Sequence, residues 1–256
     1  MTKSIEVTQD FLDSSQYLTQ SILQYEQIYG EDFVSPGGRA MAVEMIGRLG
    51  LAPAARVLDV GCGLGGSAFV MAQEFGLRVD GIDLSKNMLE IANKKLRTRD
   101  LDDQVKLEWG DCLQLERHDY YDAIYSRDVF LHIQDKTRLF AVLKSALRAG
   151  GQLLFTDYCC GPQPWSDDFS AYVADRGYCL HTPEEYSALL GDAGFKQVEA
   201  EDISARFIDI LHSDLQRIDA LDVEATVRTK LKQGWQQKLR RSNAGDHRWG
   251  LLSAVK

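Results

Sequence analysis

Between residues 56 and 157, short apolar runs alternate with longer stretches whose apolar residues recur at helical spacing. The runs fall at 57–60, 78–82, 105–109, 121–126 and 151–157. Each has the length of a buried strand, and helix-forming sequence lies between successive runs. This alternation predicts an α/β, doubly wound parallel sheet, which binds ligands outside the carboxyl ends of its strands. Upstream, Tyr17, Ile22, Tyr25 and Ile28 fall at helical spacing before Gly30, and 39–49 reads as an amphipathic helix stopped near Gly50.

The pattern changes past Tyr158. Residues 165–178 read as a helix that closes at Arg176-Gly177. Thr182-Pro183-Glu184-Glu185 supplies a cap, a first-position proline and first-turn acids for a helix that stops at Gly194. Strands are expected at 197–202 and 248–255. Between them, 205–241 is polar, largely helical and longer than an ordinary connection. It reads as a lid inserted before the last strand; the alternative is a surface helix pair with no part in binding.

Composition narrows the class. A chain of 256 residues can bury a full core. Its net charge of −9 argues against binding nucleic acid or membrane through bulk charge. No run is long and apolar enough for a membrane helix, and the N-terminal residues lack the charged-then-apolar pattern of a signal segment. The five cysteines, at 62, 112, 159, 160 and 179, include no C-x-x-C pair and are odd in number. A reducing, cytoplasmic setting is expected, without disulfides or a zinc site. The histidines show no ligand spacing, so no metal is expected.

Chemistry enters at Asp59-Val60-Gly61-Cys62-Gly63-Leu64-Gly65-Gly66, where a strand meets a glycine-rich turn and a helix N-terminus. Glycines let backbone approach a ligand closely. The glycines at 61, 63 and 66 fit dinucleotide spacing formally. However, Asp59 would repel a pyrophosphate and attract an ammonium. S-adenosylmethionine carries an ammonium, a sulfonium and no phosphate. A tight turn without a ligand is the bland reading. Against it stand two further acids at successive strand ends, Asp83 and Asp111. Asp83 lies about 20 residues past the glycine turn, where an acid accepts from ribose hydroxyls. Any one of these acids alone could be a solvated loop residue.

The acid-then-glycine pattern resembles motif I of the class I S-adenosylmethionine-dependent methyltransferases. The likeness widens through Gln16-Tyr17, 33–38, 125–132, 156–159, 172–178 and Arg248-Trp249-Gly250. Together these resemble the phosphoethanolamine N-methyltransferases, most of all the compact single-domain form of protozoan parasites, from Tyr17 to Trp249. The resemblance implies one Rossmann-like methyltransferase domain over 1–256. Within it, 1–50 would cover the site, 51–160 would hold the cofactor and 161–256 the acceptor, with the lid at about 205–241. It also implies S-adenosylmethionine held by Tyr17, Val34, Ser35, Asp59, Gly61, Asp83, Leu84, Asp111, Cys112 and Arg127. A phosphate pocket would comprise Tyr158, Tyr172, Arg176, Tyr178 and, from the lid, Lys238. Tyr17 and His132 would form the catalytic pair, with Asp128 near the amine. Pro36 departs from the family pattern, and so does the stretch 236–245 around Lys238. A monomer acting on phosphoethanolamine and its mono- and dimethyl forms is expected.

The residue types suit that chemistry. A phosphomonoester presents nearly two charges and three acceptor oxygens. Arg176 offers a charged fork, and three phenols offer neutral donors. Without the family match, the same residues could be an amphipathic surface patch. Methyl transfer needs a neutral amine, and His132 is the matched ring expected to titrate near neutrality and take its proton. A lone histidine after an apolar run is more often structural. Two rivals remain at the level of sequence. One is a relative methylating another small amine, amino acid or thioether; the other is a protein that binds the cofactor without turnover.

Overall fold

A computed structural model describes residues 7–256. The chain enters through α1 (Gln9–Phe11), a π-helical turn (Leu12–Gln16), α2 (Thr19–Tyr29) and α3 (Gly38–Arg48). Five strands and three helices follow: β1 (Arg56–Val60), α4 (Gly66–Phe75), β2 (Arg78–Asp83), α5 (Lys86–Leu96), β3 (Val105–Trp109), β4 (Tyr121–Arg127), α6 (Lys136–Ala146) and β5 (Leu147–Cys160). Then come α7 (Asp167–Arg176), α8 (Pro183–Asp192), β6 (Lys196–Asp202), α9 (Ser204–Ala220), α10 (Ala225–Asn243) and β7 (His247–Val255).

The strands form one seven-stranded sheet in the order β3-β2-β1-β4-β5-β7-β6. Strands β1 to β5 are mutually parallel, as the alternating pattern predicts. Strand β7 runs antiparallel to both β5 and β6. The sheet is therefore the Rossmann-like one of class I methyltransferases, and the order reverses between β1 and β4. Helices cover both faces, and two large apolar clusters fill the space between helices and sheet.

Local chemistry explains most boundaries. Helix α8 starts on a full capping box, Thr182 against Glu185, with Pro183 at its first position. Ser85, Asp135 and Ser166 cap α5, α6 and α7 with their side-chain oxygens. Helix α7 stops at Gly177 in the left-handed conformation. Among the differences from expectation, two bear on the site. Strand β5 runs past 157 to Cys160, because β7 pairs with it along its whole outer half, from Asp157↔Gly250 to Cys160↔His247. Tyr17 lies before α2, since Leu18 is extended at ψ 137°. Leaving the helix frees the Tyr17 ring to turn inward. The insertion between β6 and β7 is the helix pair α9 and α10, with a short break at 221–224.

Among the described residues, no helix is long and apolar enough to cross a membrane. The described residues also hold no cluster of metal-ligating side chains, and all five cysteines are free.

Candidate active site

The carboxyl ends of the strands open into one cavity of about 770 Å³, bounded on its far side by α7 and α10. Every site residue expected from the sequence lines it except Asp59. Asp59 lies instead in a small adjoining cavity, alongside Gly61, Gly63 and Arg127.

The glycine turn makes the cavity floor. Gly61 has φ +70°, and a Cβ there would run into Val129. Only glycine relieves both constraints. The turn is held by Asp83, whose carboxylate accepts from the Gly63 and Ser85 amides, each at 2.8 Å. Burial nevertheless pushes the Asp83 carboxyl up to about 6. Asp59 is 2% exposed, and its Oδ2 has no hydrogen-bond partner. Burial, with repulsion from Asp83, pushes its carboxyl up to about 7. Such a buried, unpaired carboxylate oxygen fits a cation that lends it donors, which suits an ammonium. Asp111 caps a turn at Cys112–Gln114 by accepting from the Leu113 amide at 2.9 Å, and its second oxygen accepts from the Gln114 side-chain amide at 3.4 Å. The donor set of this half therefore fits an amino-acid nucleoside and would repel a pyrophosphate. Arg127 acts differently from the acids. Its guanidinium donates to the backbone carbonyls of Pro36 and Gly38 and so ties the Val34–Ser35 segment against the turn.

The far half is aromatic and basic. Tyr158 extends from β5, while Tyr172 and Arg176 stand one turn apart on α7. Tyr178 follows the α7 stop, and its ring meets Tyr172 edge-on at 5.6 Å between centroids. Lys238 arrives from α10; its Nζ lies 3.2 Å from the Tyr158 hydroxyl. Burial, with repulsion from Arg176, pushes its ammonium down to about 8. The poorly matching stretch around Lys238 thus still delivers the side chain to the pocket.

His132 sits between the halves. Its Nε2 is 3.1 Å from the Tyr17 hydroxyl, and its ring packs edge-on against Tyr178 at 5.2 Å. Nδ1 is buried without a partner. Titration near neutrality does not hold in the fold: burial, then the Arg176 and Lys136 cations, push the imidazole down to about 3. The ring is neutral at physiological pH and able to accept a proton. Asp128 stands at the end of β4 in a left-handed conformation, φ +58°. Its Oδ1 accepts from the Trp249 indole at 2.7 Å, and its Oδ2 is buried and unpartnered.

Sequence reasoning missed several side chains. Gln16 ties the N-terminal segment to α7 by donating to the Arg176 carbonyl at 2.8 Å. Arg241 stacks on Tyr172, 4.3 Å from the ring centroid, and pairs with Asp168. Asp13 docks on the N-terminus of α5, accepting from the Ser85 hydroxyl and the Lys86 amide at 3.1 Å. Asn87 adds a bond to the Tyr17 carbonyl at 2.9 Å. A carboxylate at a helix N-terminus was the available clue for Asp13, but its helix lies 72 residues away along the chain.

Known proteins match this architecture. A family model described as a methyltransferase domain matches residues 57–151. Phosphoethanolamine N-methyltransferase 3 of Arabidopsis thaliana is 42% identical over 96% of this chain and 51% of its own length. The chain spans about half the length of the plant relatives it matches. The phosphoethanolamine N-methyltransferase of Plasmodium falciparum is 31% identical over 100% of this chain and 99% of its own. The solved structure of Haemonchus contortus phosphoethanolamine N-methyltransferase 2, in complex with phosphomonomethylethanolamine and S-adenosylhomocysteine, superposes with a TM-score of 0.94 at 34% identity. It covers 98% of this chain and 60% of that one. Fold and identity agree, and this chain belongs to the phosphoethanolamine N-methyltransferase family.

Proposed function

We propose that this chain transfers methyl groups from S-adenosylmethionine to the nitrogen of phosphoethanolamine and its mono- and dimethyl forms, towards phosphocholine, in the cytoplasm. The observation that carries the reading is one cavity with two chemically opposite ends. Acids line the glycine-turn end, phenols and cations line the other, and Tyr17, His132 and Asp128 stand between them. In this reading residues 1–256 act as one unit, and α9 with α10 form its lid.

S-Adenosylmethionine, when bound, supplies an electrophilic methyl group. Asp59 meets its ammonium, Asp83 its ribose hydroxyls and Asp111 its adenine edge. Val34, Ser35, Leu84 and Cys112 wall the nucleoside, and Arg127 fixes the segment above it. Arg176 and Lys238 neutralise the acceptor's phosphate, while Tyr158, Tyr172 and Tyr178 donate to its oxygens without adding charge. Anchoring the phosphate fixes the distance from the anion to the amine, which aligns the nitrogen with the methyl group. His132 takes the proton that the amine must lose, and Tyr17 orients the ring through its hydroxyl. The phosphate dianion offsets the Arg176 charge that depresses His132, so acceptor binding strengthens the base. Asp128 stabilises the positive charge that grows on nitrogen as the N–C bond forms.

Labelled S-adenosylmethionine offered with phosphorylated and unphosphorylated amines tests the proposal. Phosphoethanolamine and its methylated forms should be the acceptors, and ethanolamine should be very poor. Equal turnover of ethanolamine would rule out the phosphate pocket. Transfer to an amino acid instead would support another small-molecule methyltransferase.

A further inference from the structure

Trp249 is wholly buried on β7, directly across the ladder from Tyr158. Its indole N–H donates to Asp128 Oδ1 at 2.7 Å. Its ring packs on Phe207 of α9 at 5.4 Å, and Phe207 packs in turn on Tyr158 at 5.5 Å. The Trp249 backbone is pinned on both sides: its amide donates to the Ser204 hydroxyl oxygen at 3.0 Å, and its carbonyl accepts from the Ile203 amide at 2.8 Å. A side chain so fixed leaves the indole one direction in which to donate. Asp128 has correspondingly little freedom. Its backbone holds φ +58°, and its amide donates to the Thr156 carbonyl at 2.8 Å. One carboxylate oxygen is therefore engaged, and the other is buried with no partner.

We propose that Trp249 is a positioning residue for methyl transfer, pinning Asp128 by one oxygen so that Oδ2 alone faces the acceptor nitrogen. This rests on the reading of the site as an N-methyltransferase. A free carboxylate could swing, pair with Lys238 or turn toward Arg127. With Oδ1 committed to the indole, it presents a single acceptor at a fixed place, where an N–H of phosphoethanolamine or of its monomethyl form must point. Aligning that N–H orients the nitrogen's remaining substituents, and hence its lone pair, toward the methyl group. The indole also favours the ionised carboxylate, the form that stabilises positive charge. The groups around Asp128 come from every neighbouring element: Tyr125 and Arg127 on its own strand, Thr156, Asp157 and Tyr158 on β5, Tyr17 before α2, Tyr29 on α2, Lys238 on α10 and Trp249 on β7. Burial raises the carboxyl above its ordinary range, and the indole hydrogen bond opposes that rise.

Trp249→Phe keeps an aromatic ring against Phe207 and removes the donor. It should lower kcat for phosphoethanolamine about 10- to 100-fold, with S-adenosylhomocysteine affinity unchanged. The acid limb of the kcat profile, which reports groups of the bound complex, should move to higher pH, because a lost hydrogen bond to a charge raises the carboxyl. In an Asp128→Asn background the same substitution should add little, since its partner is already altered. Full additivity in that cycle would overturn the proposal by showing that Trp249 acts through packing. A second readout is independent of any acceptor. In nitrogen-15 spectra the Trp249 indole N–H should lie downfield and shift in Asp128→Asn; an unmoved resonance would also overturn it. If wild-type protein turns over no phosphobase while the indole responds to Asp128, the pairing stands and the acceptor assignment falls.

Discussion

The two ends of the cavity are built by opposite means. The acid end is made of strand termini and the turns that follow them, each a few residues from a motif readable along the chain. Two of its acids are held by backbone amides, Asp83 by Gly63 and Ser85 and Asp111 by Leu113. The phenol and cation end is assembled from β5, α7 and α10, which are separated by scores of residues and held by side chains. Lys238 stands over Tyr158, and Arg241 stacks on Tyr172 while pairing with Asp168. Backbone-held ligands are rigid because the sheet is rigid, whereas side-chain-held ligands depend on how helices dock. On the proposed function, one end serves a constant donor, and the other can be retuned for an acceptor.

The sharpest break in this comparison is at the boundary between the ends. His132→Ala should lower kcat about 10²–10⁴-fold, the contribution of a positioned base. Titration calorimetry with S-adenosylhomocysteine should find its affinity nearly unchanged. Because the buried ring titrates at about 3 in the free protein, the kcat/KM limb near neutrality should persist in this variant. It then reports the phosphate's second ionisation near 6. Disappearance of that limb would show that His132 is not held neutral as described.

Next in size is Arg176→Ala, which should raise KM for phosphoethanolamine about 10- to 150-fold, from a lost charged hydrogen bond of about 1.5–3 kcal/mol. KM for S-adenosylmethionine should change little. Equal effects on both substrates would mean the two ends are not separable. The acid end has its own signature in pH. Burial lifts the Asp59 carboxyl to about 7 in the free protein, and a bound ammonium should lower it. The ligand favours the ionised form, so S-adenosylhomocysteine should bind best above pH 7. Affinity should weaken by up to about tenfold per unit as pH falls below that value. Calorimetry from pH 8 to pH 5 checks this, and Asp59→Asn should flatten the curve down to about pH 6, where Asp83 titrates. The smallest effect belongs to one neutral donor: Tyr172→Phe should raise the acceptor KM about 2- to 12-fold. A loss as large as that of Arg176→Ala would make Tyr172 a support for Arg241 and α10 rather than a phosphate donor.

These differences explain what could be read from the chain. The parallel run of strands and the glycine turn follow from local apolar period, capping residues and glycines, all of which act within a few positions. The direction of β7 was not legible, since an apolar run carries no sign of parallel or antiparallel pairing. Nor was the inward turn of Tyr17: its helical spacing with Ile22 suggested a helix, and the extended Leu18 breaks it. At the acceptor end, Tyr172 and Arg176 shared a predictable helix face, but Lys238 was placed only by likeness to a family. The His132 ring shows the deepest limit. Its residue type sets a pKa near neutrality, and its surroundings, gathered from three elements, move it to about 3.

The helix pair between β6 and β7 leaves and rejoins the sheet at neighbouring points, with Asp202 paired to Gly250 across the ladder. The two ends of that excursion are thus fixed by hydrogen bonds that do not depend on what lies between them. Closing a loop costs free energy that grows only with the logarithm of its length, about 0.6 kcal/mol per doubling. Helix α9 itself is fixed, because Phe207, Leu211 and Ile218 are buried in the core, but lengthening the break at 221–224 between the two helices is nearly neutral for the stability of the sheet. Selection on the acceptor can act on a segment whose size folding scarcely constrains, while the strand ends below it stay where the donor needs them.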